Sequence, residues 1–134
     1  MESPESPAPS PTPRPVGAYT PAVRAGDWVV CSGQVGAREG TLVEGGVAAQ
    51  VTQAVANLRA LLREQGSDLG AVAKTTVFLA DIADYAAVNE AYVAAFGGHL
   101  PARSAVAVAG LPLGALVEIE AWAYVGHAGP GRDS

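Results

Sequence analysis

A chain of 134 residues suffices for one domain of ordinary size and not for two, and 49% hydrophobic residues can fill one core. The net charge is −5 and no two Lys or Arg residues are adjacent, so the basic footprint that phosphate backbones require is missing and nucleic acid is not an expected partner. Charged residues reach only 16%, below the usual quarter, which leaves apolar surface for another subunit to cover.

Residues 1–15 hold most of the ten prolines, with serines between them and no hydrophobic period, so a disordered Pro-rich tail is expected there. MESPESPAPSPTPRPV also lacks the basic start and apolar run of a secretory signal. WVVCSGQV (28–35) reads as a strand, opened by Gly26-Asp27, and Tyr19 to Arg24 can supply a partner for it. Val47, Val51, Ala54, Val55, Leu58, Leu61 and Leu62 recur at steps of three and four, which predicts a helix ending before Gly66. AVAKTTVFLA (71–80) is β-branched and apolar, as a buried strand should be. Asp81 and Asp84 suit the start of a second helix whose Tyr85, Val88, Tyr92 and Phe96 share a face, with Gly97-Gly98 as its exit. RSAVAVA (103–109) and LVEIEAWAYV (116–125) complete the strands, separated by a Leu-Pro-Leu-Gly turn.

The order β-β-α-β-α-β-β predicts an α+β single domain over 16–126, with helices packed on one face of a sheet and a flexible tail over 127–134. In the last strand Val117, Ile119, Ala121, Ala123 and Val125 alternate with Glu118, Glu120, Trp122 and Tyr124. The second set is expected on the uncovered face, where a subunit or a ligand meets it. Cys31 cannot close an intrachain disulfide, and Arg103, Glu118 and Glu120 interrupt the most apolar region before it reaches the ~18 residues of a membrane span. A cytoplasmic protein with no membrane contact is expected.

PARSAVAVAGLPLGALVEIEAWA (101–123) resembles the signature of the Rid family, the reactive-imine deaminases also called YjgF-like proteins. Gly17 and Tyr19 fit its Gly-Pro-Tyr segment, Cys31-Ser32-Gly33-Gln34 its Ser-Gly-Gln segment, Lys74 to Leu79 its central strand, and Val88-Asn89-Glu90 its second-helix motif. The resemblance is collinear over about 16–125. It implies a chorismate-mutase-like fold, a homotrimer with clefts lined by two subunits, and hydrolysis of 2-imino and enamine acids such as 2-aminoacrylate and 2-iminobutyrate to 2-keto acids and ammonia. No cofactor of its own is implied. Two departures, Gly110 where the family commonly has a basic residue and Ala18 in place of a proline, bear on substrate range.

The chemistry of the candidates fits that implication. The planar fork of Arg103 can hold a substrate carboxylate bidentately, although an isolated strand arginine is by default a structural partner of Glu118 or Glu120. Attack on an imine carbon needs an oriented water and a carboxylate base, a role that the resemblance gives to Glu118, with Glu120 on the same side of the strand. Ser32, Gly33 and Ala105 are candidate substrate-binding positions through their backbones, Tyr19 as a pocket wall and Asn89 as a brace; Thr76 reads as core. Of the two histidines, His99 and His127, the second falls in the expected tail, so neither a metal site nor a Ser-His-Asp triad is expected, and Cys31 reads as a small buried residue. Two alternatives stay open: a non-catalytic module that binds a carboxylate metabolite or docks on a partner, and a tailoring hydrolase or cyclisation catalyst whose pocket Gly110 and Trp122 have reshaped.

Overall fold

The computed structural model describes residues 12–15 and 17–126. Residues 1–11 of the expected N-terminal tail and 127–134 of the C-terminal tail lie outside the described residues. Thr12 to Pro15 run beside the first helix, where the Thr12 hydroxyl donates to Glu64 at 2.6 Å.

Strands β1 (Ala22–Ala25) and β2 (Trp28–Val35) form a hairpin closed by Gly26 and Asp27, with Gly26 at φ 61. A second, minimal hairpin follows, β3 (Ala37–Arg38) and β4 (Thr41–Leu42), which the sequence reading did not contain. Its two central residues, Glu39 and Gly40, both carry positive φ, as a type I′ turn requires. Strands of two residues are too short to show alternation, which is why no period announced them.

Helix α1 (Gly46–Glu64) buries Val51, Ala54, Val55, Leu58, Leu61 and Leu62 of the expected stripe, while Val47, in its first turn, is half-buried against the core. It stops at Gly66, whose φ of 79 lets its N–H reach the Arg63 carbonyl and lets Ser67 reach that of Leu62, the paired bonds of a Schellman end. Strand β5 (Val72–Leu79) leads to Asp81, whose carboxylate accepts from the Ala83 N–H at 2.9 Å and starts a short 3₁₀ turn into α2 (Tyr85–Phe96). Strand β6 (Ala102–Ala107), a turn through Pro112–Gly114 and β7 (Val117–Tyr124) finish the chain.

The five long strands form one sheet in the order β1-β2-β7-β5-β6, antiparallel except for β5 and β6, which run parallel with α2 as their connection. Register fixes the faces. Thr75 opposite Ala121, Val77 opposite Ile119 and Leu79 opposite Val117 are all fully buried under the helices. Thr75 is the one polar member of that set, and its hydroxyl is satisfied by the Tyr92 hydroxyl at 2.6 Å. Thr76 opposite Glu120 and Phe78 opposite Glu118 take the other face, so Thr76 is half-buried beside a carboxylate and not the core residue expected. On that same face Trp28 meets Tyr124 and Trp122 edge-on, at centroid distances of 5.2 and 6.3 Å. Trp122 and Tyr124 remain exposed there, as the alternation of the last strand predicts for residues opposite the helices. No helix of the described residues is long and apolar enough to cross a membrane.

Candidate active site

Arg103 lies on β6, the sheet edge, opposite Thr75, and its side chain therefore rises on the helix side. There it meets α2. An Nη2 proton is donated to the Tyr85 hydroxyl at 3.1 Å, while Cζ lies 5.0 Å from the centre of the Tyr92 ring and 5.5 Å from that of Tyr85. Tyr92 is a fixed floor, buried and tied to Thr75. Arg103 makes no ion pair with a carboxylate among the described residues; the pairs found are those of Arg59 and Arg63 with Asp68. The default partnership of Arg103 with Glu118 or Glu120 is thereby overturned, because those carboxylates occupy the opposite face of the sheet.

Around the guanidinium stand two more of the sequence candidates. Asn89 sits on α2 four residues after Tyr85 and three before Tyr92, so it shares their side of the helix, and its Oδ1 is buried without a hydrogen-bond partner among the described residues. Ala105, opposite Val77, is half-buried and packs against the core. Sequence reasoning missed Tyr85 as a site residue: it was placed in the core stripe of α2, yet it is 43% exposed beside Arg103.

The second cluster belongs to the other face. Between Cys31 and Gln34 the pairing of β2 with β7 slips by one residue, a bulge that sets Ser32 and Gly33 together against Glu120. Gly33 is thereby brought against the Glu118 side chain so closely that a Cβ there would lie 2.8 Å from Cδ and 2.9 Å from Cγ of Glu118, and would touch Oε2 closer still. Only glycine leaves room for that carboxylate. Burial pushes the Glu118 carboxyl above its ordinary value, and the Glu120 charge two residues on pushes it further in the same direction. Ser32 holds the preceding loop through its N–H to the Pro21 carbonyl (2.8 Å) and its hydroxyl to the Thr20 carbonyl (2.9 Å), which brings Tyr19 to the same place.

Tyr19, Ser32, Gly33 and Glu118 line one cavity of about 690 Å³, joined by Gln34, Pro112, Arg38 and Glu39 of the small hairpin, and Thr12 to Pro15. Gln53 and Asn57 of α1 also reach it, and Asn57 ties the end of β2 down by donating to the carbonyls of Val35 (3.1 Å) and Ala37 (3.0 Å). The signal for Asn57 was present in the sequence as an amide set among the apolar positions of α1, as Gln50 also is. Neither Gly110 nor Trp122, the positions suspected of reshaping the pocket, lines this cavity.

The structure thus sorts the seven candidates into two groups that do not meet within one chain. Arg103, Asn89 and Ala105 stand at the β6 edge on the helix side, and none of them borders the cavity that holds Glu118, Ser32, Gly33 and Tyr19. Cys31 is buried, its thiol pushed up to about 11 by burial, which keeps it protonated and unreactive. His99 is spent on the Val72 carbonyl at 2.7 Å, and His127 lies outside the described residues. The described residues contain no group of three or more His, Cys, Asp or Glu side chains able to hold a metal.

Comparison with known proteins bears on the family and the fold. The endoribonuclease L-PSP family matches residues 10–125. The 2-iminobutanoate/2-iminopropanoate deaminase of Rattus norvegicus is 48% identical over 119 residues, 87% of each chain. Among solved structures, RidA from an Antarctic Psychrobacter superposes with a TM-score of 0.80 at 41% identity, covering 85% of this chain and 94% of that one. E. coli TdcF with bound serine superposes with a TM-score of 0.79 at 34% identity, covering 84% and 92%.

Proposed function

The chain belongs to the endoribonuclease L-PSP family, which includes the RidA and YjgF proteins, and from that premise we propose that it hydrolyses 2-imino acids and their enamine tautomers to 2-keto acids and ammonia. Relatives at 45–48% identity carry the name of that activity. The observation that carries the reading is Arg103, a guanidinium held against two tyrosine rings with no carboxylate among the described residues to neutralise it. Such a charge awaits an anion, and the planar fork suits a carboxylate. TdcF with bound serine supplies a relative that holds a ligand of this carboxylate class.

Glu118 is the base in this reading. It takes a proton from water as the oxygen attacks the imine carbon and returns it to nitrogen to give the carbinolamine; it then takes the carbinolamine hydroxyl proton and passes it to the amine, so that C–N breaks with ammonia leaving as C=O forms. Its raised carboxyl makes it a better acceptor than an ordinary glutamate at neutral pH. Ser32 and Gly33 offer backbone groups beside it, Tyr19 walls the pocket, and Asn89 and Ala105 flank the anchor. The family description speaks of an endoribonuclease, but an acidic chain with scattered cations offers RNA no electrostatic footprint, which favours the small-molecule substrate.

Because Arg103 and Glu118 occupy opposite faces of one sheet, a single substrate reaches both only across two chains. A homotrimer, with Arg103 of one subunit facing Glu118 of the next, supplies that cleft, and the exposed Trp122 and Tyr124 supply apolar surface for it to bury. The lone buried cysteine fits a cytoplasmic site of action. A second reading, a hydrolase of larger intermediates, is favoured by the cavity of about 690 Å³, a volume of the size that holds drug-like ligands.

Two measurements test the proposal together. With 2-iminobutyrate generated in situ by a threonine dehydratase, keto acid is expected to appear faster when the protein is added. Light scattering in dilute buffer is expected to give three chain masses. An active monomer would remove the two-subunit cleft, and a trimer without turnover would remove the deaminase reading in favour of a binding module.

A further inference from the structure

We infer that Tyr85 is a positioning residue for Arg103: its phenol oxygen fixes the direction of the guanidinium and thereby sets affinity for the substrate carboxylate. The inference rests on the anchor role proposed above for Arg103.

An arginine on an edge strand has a long side chain, and a fork left free to turn must be ordered anew each time an anion binds. The Tyr92 ring, immobile in the core, attracts the charge to a point 5.0 Å above its centre. A ring face holds the charge near it but does not select a rotation of the fork in its own plane. Rotation is selected by the one directional contact found among the described residues, the bond from Nη2 to the Tyr85 hydroxyl at 3.1 Å. That bond uses one of five N–H donors and leaves an intact two-donor edge for a carboxylate. Tyr85 begins α2 and is 43% exposed, so its hydroxyl has no packing duty that would explain it otherwise.

Tyr85→Phe keeps the ring and removes only the tether, so the full-length variant separates positioning from packing. Calorimetric titration with 2-oxobutyrate is expected to show affinity weakened roughly three- to tenfold, the range of a partly exposed hydrogen bond, with KM rising in parallel, kcat within about twofold and the melting temperature unchanged. Tyr85→Leu, which also removes the ring, is expected to weaken binding further. In an Arg103→Ala background the Tyr85→Phe change is expected to cost nothing more, since the group it positions is gone. Unchanged 2-oxobutyrate affinity in Tyr85→Phe overturns the inference, as does an equal loss with and without Arg103, or a fall in kcat and melting temperature at constant KM. Should the wild type bind 2-oxobutyrate yet show no turnover, hydrolysis fails as the function while the titration still decides the role of Tyr85. A wild type that does not bind it overturns anchor and tether together.

Discussion

Glu118→Gln is expected to lower kcat by roughly 10²–10⁴-fold while leaving 2-oxobutyrate affinity close to that of the wild type. The amide is isosteric with the carboxylate, so it fills the space that Gly33 leaves open and keeps the shape of the site. What it loses is the ability to take a proton from water. The unprotonated form of Glu118 is the active one, so activity should fall as pH falls through its pKa. Burial first, and then the Glu120 charge, hold that pKa above the ordinary carboxylate value, and the acid limb of kcat/KM should stand correspondingly high. In Glu120→Gln the repelling charge is gone and the limb should move to lower pH. Wild-type turnover in Glu118→Gln would move the base to Glu120 or elsewhere.

Arg103→Ala is expected to lower kcat/KM about ten- to hundredfold across 2-imino acids, the consequence of losing a charge-assisted contact worth roughly 1.5–3 kcal/mol. Binding of 2-oxobutyrate should fall with it, in contrast to Glu118→Gln. Stability should suffer less, because the partly exposed contact with Tyr85 and Tyr92 contributes about 0.5–1 kcal/mol. Arg103→Lys keeps the charge but not the fork, and should recover only part of the affinity. Steady-state kinetics with calorimetric titration of the two variants checks the division of labour. Equal product affinity in Arg103→Ala and Glu118→Gln would end it.

Much of the architecture was legible because its signals are local. The run from Trp28 to Val35 is a strand at its predicted limits, the apolar stripe of α1 is the buried one, and the in-out alternation of β7 runs from Val117 to Tyr124 as read. The hairpin of Ala37 to Leu42 was not legible, since its turn rests on positive φ at Glu39, a residue type that rarely takes it. Tyr85 misled for a different reason: its spacing from Val88 and Tyr92 is right for one face of α2, but that face runs past the edge of the sheet, and its first residue emerges beside Arg103.

By itself the sequence determined the identity of the chemical groups, the order of the two helices and the five long strands, and the side of β7 on which Glu118 lies. The side taken by Arg103 was another matter, because the expected run RSAVAVA (103–109), of which β6 takes up Arg103 to Ala107 together with Ala102, is apolar at successive positions and has no alternation to orient it. Tertiary structure decided it through the parallel register that sets Arg103 opposite Thr75, and decided the Gly33 contact through a bulge in β2. Periodicity fixes faces within a strand, whereas the relation of one strand's faces to another's depends on pairing between residues distant in sequence, selected by burial of the whole sheet against α1 and α2.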